Sequence, residues 1–183
     1  MKKILITGIN GFLANRLVDH LNGDSSTIVG ISRSDNYKTT KKERYTTLYG
    51  DLLDYQFLCR VISDNEIDTI YHLAAQSIVR IANTNPLSCF SSNVMGTVSI
   101  LEAVRQINPK IKIYVASSDK SYGNHEILPY IETMALQAGD PYSTSKACAD
   151  LVAQSYYKTY GLNINIVRSA NIYGAGDMNL SRL

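Results

Sequence analysis

The chain has 183 residues, 45% hydrophobic and 19% charged, with a formal net charge of +2. That length suits one domain with a core of useful size, and the balance is that of an ordinary globular protein. The even charge leaves no footprint for nucleic acid, and no apolar run reaches the length of a bilayer span, so neither a nucleic acid nor a membrane is expected as a partner. Met1-Lys2-Lys3 is followed at once by Ile4-Leu5-Ile6, too short a run for a signal core and without a small-residue cleavage site. That run is the first predicted strand. Phe12, Leu13, Leu17, Val18 and Leu21 then recur at helical spacing, and Ile28-Val29-Gly30-Ile31 is a second strand. Residues 35–44, with Lys38, Lys41, Lys42 and Arg44, read as an exposed loop. Residues 45–49 form a third strand, 55–63 a helix and 69–73 a fourth strand. Pro86 suits the first turn of a long helix reaching about Ile107. Residues 111–116 are a fifth strand, 142–160 a helix stopped by Gly161, and 164–167 a sixth strand. Near-continuous apolar strands alternating with helices predict an α/β fold, a doubly wound parallel sheet of Rossmann type. Cys59, Cys89 and Cys148 are scattered and odd in number, so they fit neither a disulfide framework nor a metal site and point to a reducing cytoplasm.

Gly8-Ile9-Asn10-Gly11-Phe12-Leu13-Ala14 lies between the first strand and the first helix. A lone glycine pattern is weak, but this context is the one a dinucleotide site needs. Gly8 permits a tight turn, Gly11 lets the backbone approach a pyrophosphate, and Ala14 allows close helix–strand packing. The first amides of the helix would then face the phosphates. The plain alternative is an ordinary strand–helix turn. The end of the second strand reads Ser32-Arg33-Ser34, where an acid would bind the ribose of NAD. Arg33 matches a 2′-phosphate instead, which favours NADP; the alternative is a solvated loop arginine.

Tyr142 and Lys146 stand four apart on a predicted helix, hence on one face. An adjacent ammonium favours phenolate, so Tyr142 could take a proton from a substrate hydroxyl as hydride leaves the same carbon. Alone, such a pair is common on helix surfaces; the glycine turn upstream sharpens it. Ser117-Ser118-Asp119-Lys120-Ser121-Tyr122-Gly123 follows the fifth strand, at the end of the sheet that lines the ligand crevice. It offers a hydroxyl, an acid and a base, or it is a hydrophilic turn ended by Gly123.

Thr7-Gly8-Ile9-Asn10-Gly11-Phe12, Gly50-Asp51-Leu52, His72-Leu73-Ala74-Ala75-Gln76, Asn93-Val94-Met95-Gly96-Thr97, Ser117-Ser118, Tyr142 with Lys146, and Arg168 through Gly174 occur in one order along the chain. Together they resemble the extended short-chain dehydrogenase/reductase family, the NAD-dependent epimerases and dehydratases. The resemblance implies that Asp51 and Leu52 lie beside the adenine and that Leu73, Ala74, Ala75 and Asn93 wall the cofactor. It makes Ser118 the catalytic hydroxyl partner of Tyr142 and Lys146, and puts Ser169 by the nicotinamide. Ser77, Arg80 and Asn171 would face a nucleotide sugar. A homodimer is also implied.

Asp119-Lys120 narrows the reaction. These positions, with Gln76-Ser77-Ile78-Val79-Arg80, are similar to dehydratases of the family that act on CDP-glucose, a group associated with NAD. In that reading Tyr142 deprotonates the hydroxyl on carbon 4, a neutral Lys120 or a group it positions removes the hydrogen on carbon 5, and a protonated Asp119 assists loss of the hydroxyl on carbon 6. A 4-epimerase would need only Ser118, Tyr142 and Lys146. A non-catalytic binding module would have no use for an activated phenol. Family members continue past a segment like Ser181-Arg182-Leu183 into a smaller part that holds the sugar. Residues 1–183 are therefore expected to be the cofactor-binding domain without the substrate domain, and to turn over little sugar alone.

Overall fold

The structure, a computed structural model, describes residues 1–21, 26–33 and 44–177. The described residues carry β1 (Lys3–Thr7), α1 (Phe12–Leu21), β2 (Thr27–Ser32), β3 (Thr46–Tyr49), α2 (Tyr55–Asp64), β4 (Thr69–His72), α3 (Val79–Thr84), α4 (Pro86–Phe90), α5 (Gly96–Ile107), β5 (Lys112–Ala116), α6 (Pro141–Tyr160) and β6 (Asn163–Val167). A π-helical turn, Ser91–Met95, joins α4 to α5, and a 3₁₀ turn, Asp119–Tyr122, follows β5. The predicted loop at 35–44 lies outside the described residues except for Arg44, which is exposed.

The strands form one sheet in the order β3-β2-β1-β4-β5-β6. Every neighbouring pair is parallel, as for Leu5 beside Val29 and Ile70, and Ile113 beside Ile164. This is the strand order of dinucleotide-binding folds, whose ligand crevice opens where the order reverses, between β1 and β4. Side chains alternate across the sheet, so its two faces feed two cores. On one face Leu5, Val29, Ile70, Ile113 and Val115 pack with Leu58 and Ile62 of α2, Ile100 and Leu101 of α5 and Ala153 of α6. On the other, Ile4, Ile6 and Ile28 pack with Ala14 and Val18 of α1.

The helix ends follow from local chemistry. Asp54 caps α2 by accepting from Phe57 N–H, Asn85 caps α4 ahead of Pro86, and Gly161 closes α6 in the left-handed region at φ +67. Residues 86–107 form one helical run of 22 residues that is long and apolar enough to cross a membrane, contrary to the sequence expectation. Here it buries Cys89, Asn93, Ile100, Leu101, Ala103 and Val104 against its neighbours, as a core helix does. Helix α3 was also not expected. It is six residues long and has no side-chain cap, so its apolar residues carry no boundary signal.

Candidate active site

The carboxyl ends of β1, β2, β4 and β5 open onto one cleft of about 910 Å3. That is toward the upper end of the ~300–1,000 Å3 range of cofactor-sized sites. Gly8 turns the chain off β1 at φ +70, and a Cβ there would sit 2.8 Å from the Ala74 Cα. Only glycine lets the turn lie against the loop after β4. The Gly11 amide donates to the Gly8 carbonyl at 2.8 Å, which curls the turn, and the cleft wall continues through Phe12 and Leu13. Because α1 begins at Phe12, its first amides have no partner inside the helix and suit an anion. Asn10 Nδ2 donates to Ser32 Oγ at 2.9 Å, tying this turn to the end of β2. Arg33 is exposed at the cleft edge, while Ser34 lies outside the described residues. Asp51 and Leu52 complete this half; the Asp51 Oδ1 also accepts the Leu53 amide at 2.9 Å.

The other half is built by β5, α6 and the segment after β6. Asp140 caps α6 by accepting the amides of Tyr142 and Ser143, at 3.0 and 3.1 Å, so Tyr142 stands in the first turn. One turn later Lys146 is 7% exposed and its Nζ donates to the Ala116 carbonyl at 2.7 Å. Burial pushes this ammonium well below the usual lysine range, to about 8, with Cys89 acting weakly the other way. Ser118, also 7% exposed, caps the 3₁₀ turn by accepting the Lys120 amide at 3.2 Å and donates to Asp119 Oδ1 at 3.1 Å. Lys120 Nζ donates to Asn171 Oδ1 at 3.1 Å. Ser118, Lys120, Tyr142, Lys146, Ser169 and Asn171 all line the cleft, as do Leu73, Ala74, Ala75, Ser77 and Arg80. Among the described lining residues Arg33, Arg80, Lys120 and Lys146 are cationic and Asp51 is the one carboxylate. That balance suits phosphate groups. Glycine turn, helix start and cationic wall together fit a dinucleotide. The residues that would hold one are Gly8, Asn10, Gly11, Phe12, Leu13 and Arg33 at one end and Lys146 and Ser169 at the other.

Two expected site residues are not on the cleft wall. Asn93, expected along the cofactor, is 2% exposed and spends its side-chain amide on Gln76 and Ser145. Asp119 sits one hydrogen bond behind Ser118, with its own amide donating to the Ser169 carbonyl at 3.0 Å.

Sequence reasoning missed the polar layer beneath the cleft. The Thr7 Oγ1 accepts the amides of both Leu73 and Ala74, each at 3.1 Å. Its hydroxyl proton is then left for His72 Nδ1, 2.9 Å away. His72 Nε2 therefore carries the proton and donates to Thr97 Oγ1 at 3.1 Å, and Thr97 donates to the Asn93 carbonyl at 2.6 Å. Burial, aided by the Lys146 charge, pushes the His72 imidazole down to about 3, so it stays neutral. The only signal for this layer in the sequence is a histidine at the end of an apolar strand.

The family model for GDP-mannose 4,6-dehydratase matches residues 5–179. The CDP-glucose 4,6-dehydratase of Salmonella typhimurium is 36% identical over 144 residues, covering 73% of this chain and 40% of that protein. The UDP-glucuronate 4-epimerase 1 of Arabidopsis thaliana is 31% identical over 182 residues, covering 93% of this chain and 42% of that protein. Among solved structures, the dTDP-glucose 4,6-dehydratase of Bacillus anthracis in complex with NAD superposes with a TM-score of 0.83 at 29% identity, covering 96% of this chain and 56% of that one. The chain thus spans about half the length of the proteins it matches.

Proposed function

The chain belongs to the GDP-mannose 4,6-dehydratase family, and on that premise we propose that it is the nicotinamide-dinucleotide-binding part of a nucleotide-sugar 4,6-dehydratase. The observation that carries this reading is the 3₁₀ turn after β5, which sets Asp119 and Lys120 directly behind and beside Ser118. Relatives named as CDP-glucose and dTDP-glucose dehydratases support it.

When bound, a nicotinamide would accept a hydride and later return it. The protein's own part is proton handling. Tyr142 takes the proton of the hydroxyl on carbon 4, with the Lys146 ammonium favouring phenolate and Ser118 holding the reacting oxygen. A ketone at carbon 4 acidifies the hydrogen on carbon 5; Lys120, on the cleft wall, removes it when its amine is in the neutral form, and gives the proton back to carbon 5 once the hydride has reached carbon 6. Asp119 is off the wall, so its proton reaches the departing hydroxyl of carbon 6 through Ser118, the hydrogen bond between them reversing when the carboxyl is protonated. Arg80 and Asn171 are the residues we assign to the nucleotide-sugar side, and Arg33 favours NADP. The part that encloses the sugar is proposed to lie outside residues 1–183, which alone should bind dinucleotide and turn over little sugar.

The test uses the full-length gene product with CDP-glucose and other nucleotide glucoses. The expected product is a 4-keto-6-deoxy sugar. The pair Asp119→Asn with Lys120→Met should still oxidise carbon 4 but accumulate reduced dinucleotide without losing water. Each proton transfer of this kind contributes about a hundredfold to ten-thousandfold in rate. A wild type that makes only the 4-epimer, or a double variant that dehydrates normally, would establish the epimerase reading instead.

A further inference from the structure

We infer that Asn93 is a positioning residue that clamps the loop after β4 onto α6 and so sets the width of the cleft at its nicotinamide end; the inference rests on the dinucleotide reading above. Its Oδ1 accepts the Gln76 amide at 2.7 Å. Its Nδ2 donates to the Gln76 carbonyl at 3.2 Å and to Ser145 Oγ at 2.8 Å. One side chain thus closes both backbone groups of Gln76, as a neighbouring strand would, and reaches across to α6. Ser145 stands between Tyr142 and Lys146 and donates to the Tyr142 carbonyl at 2.7 Å. The clamp therefore joins the wall at Leu73–Ala75 to the turn of helix that carries the phenol and the ammonium.

The clamp is anchored from behind. The Asn93 carbonyl accepts from Thr97, whose hydroxyl accepts His72 Nε2–H, and His72 is bonded to Thr7 on β1. Thr7 in turn holds the amides of Leu73 and Ala74. Both ends of the loop after β4 are thus fixed by buried side chains, Thr7 at its start and Asn93 at its end. Asn93 sits at the centre of the π-helical turn Ser91–Met95, the one break in the α-helical run of 86–107, and such turns often mark functional sites. Among the described residues every buried side-chain polar atom has a partner. A fully satisfied buried network of this kind holds one geometry, and removing a member leaves the others unpaired.

The clamp lies at the Tyr142 and Lys146 end, and none of its hydrogen bonds above runs to Arg33, Asp51 or Gly11, the residues proposed for the ADP half of the dinucleotide. Asn93→Ala should therefore weaken NAD+ binding about tenfold, the worth of one buried hydrogen bond left unmade, while ADP binds as to wild type. Calorimetry with NAD+ and with ADP reads both. A residue that only stabilises the fold would weaken the two ligands by the same factor, and that result, or no change in either, overturns the inference. Should Asn93→Ala fail to fold, Ser145→Ala removes only the α6 side of the clamp and should show the same split. Wild-type NAD+ affinity in Ser145→Ala would overturn the inference as well. A wild type that binds neither ligand would sink the dinucleotide reading itself, and the clamp with it.

Discussion

The Nζ of Lys146 is hydrogen-bonded to the carbonyl oxygen of Ala116, the last residue of β5, at 2.7 Å. This bond draws an ammonium into the protein where burial lowers its pKa from 10.5 to about 8. Between those two values the unfolded chain holds a proton that the folded chain has released, so stability rises with pH across that window. The contribution is present in full above the unfolded value and lost as pH falls through about 8. Urea unfolding of the wild type from pH 7 to 10.5 should show this rise relative to Lys146→Met, by an amount on the order of 3 kcal/mol. Parallel curves for the two proteins would show that Lys146 is not held as described.

His72 gives the matching effect on the acid side. Its folded pKa of about 3 lies below the ordinary value of 6.5 because the ring is buried and Lys146 is near. As pH falls from 6.5 toward 3 the unfolded chain gains a proton that the folded chain refuses, and stability is lost. His72→Gln should be less stable at pH 7 by about 1 kcal/mol, through its disturbed bonds to Thr7 and Thr97, yet show a shallower acid limb. The measurement is the unfolding midpoint at pH steps between 7 and 4. An unchanged acid limb would refute the buried neutral imidazole.

The two glycines of the first turn should fail in different ways. At Gly8 a side chain meets the Ala74 backbone at 2.8 Å on a φ of +70, so Gly8→Ala should cost about 1–3 kcal/mol of stability. At Gly11 the nearest atom to a new Cβ is the Gly8 carbonyl oxygen at 3.1 Å, a tight but local contact. Gly11→Val should therefore fold, but it should keep a pyrophosphate from the helix start. Losing one charge-assisted hydrogen bond is worth ~1.5–3 kcal/mol, or roughly tenfold to hundredfold in dinucleotide affinity. Equal affinity for wild type and Gly11→Val would remove the phosphate site from this turn.

The strands were legible because each is a short, nearly continuous apolar run, and the helix limits because Pro86, Gly123 and Gly161 each do something other residues do poorly. That the strands run parallel followed from their alternation with helices, but their order in the sheet did not. Of the cleft residues, Gly8, Gly11 and the Ser118 turn followed from their place at the carboxyl ends of strands, and Tyr142 with Lys146 from helical spacing, whereas Asp51, Leu73, Ser169 and Asn171 came only through the family resemblance. Which way a residue faces on such a turn did not follow. Asp119 and Lys120 are neighbours in sequence, yet one points behind Ser118 and the other lines the cleft. Asn93 was legible as a site residue only through its motif. Its burial depends on α6 and the loop after β4 arriving on either side, contacts 52 and 17 residues away in sequence. The π-helical turn left no mark on the apolar period of its helix.

Arg168 and Asp150 form a buried ion pair that fixes α6 to the end of β6. The guanidinium donates to both carboxylate oxygens, at 2.7 and 3.0 Å, and also to Tyr122 Oη and the Glu132 carbonyl. Burial alone would raise the Asp150 pKa, but the bonds from Arg168 and Gln154 hold it below the usual carboxylate range. Arg168→Met should cost about 3–5 kcal/mol by leaving a buried charge unpaired. Adding Asp150→Asn should recover part of that loss. Additive costs in thermal or urea unfolding would mean that the two do not act as a pair.

We propose that Arg33 decides between the two nicotinamide dinucleotides. It follows directly on β2 at the cleft edge, where an acidic residue would accept the ribose hydroxyls of NAD. Ser32 beside it is already engaged by Asn10 Nδ2 at 2.9 Å, so among the described residues Arg33 is the charged group at this strand end placed to meet what lies at that ribose. An acid there would repel a 2′-phosphate, whereas a guanidinium matches its geometry and charge. The residue is exposed, so the attraction is screened by solvent and salt, and a preference of about tenfold for NADP over NAD is the expected size. The preference should shrink as salt rises and vanish in Arg33→Ala, with NAD affinity little changed. Calorimetry of both dinucleotides on both proteins at low and high salt measures this. Tighter binding of NAD by the wild type would mean that Arg33 points to solvent and that the ribose is read by other groups, Asp51 being the carboxylate among the described residues of the wall.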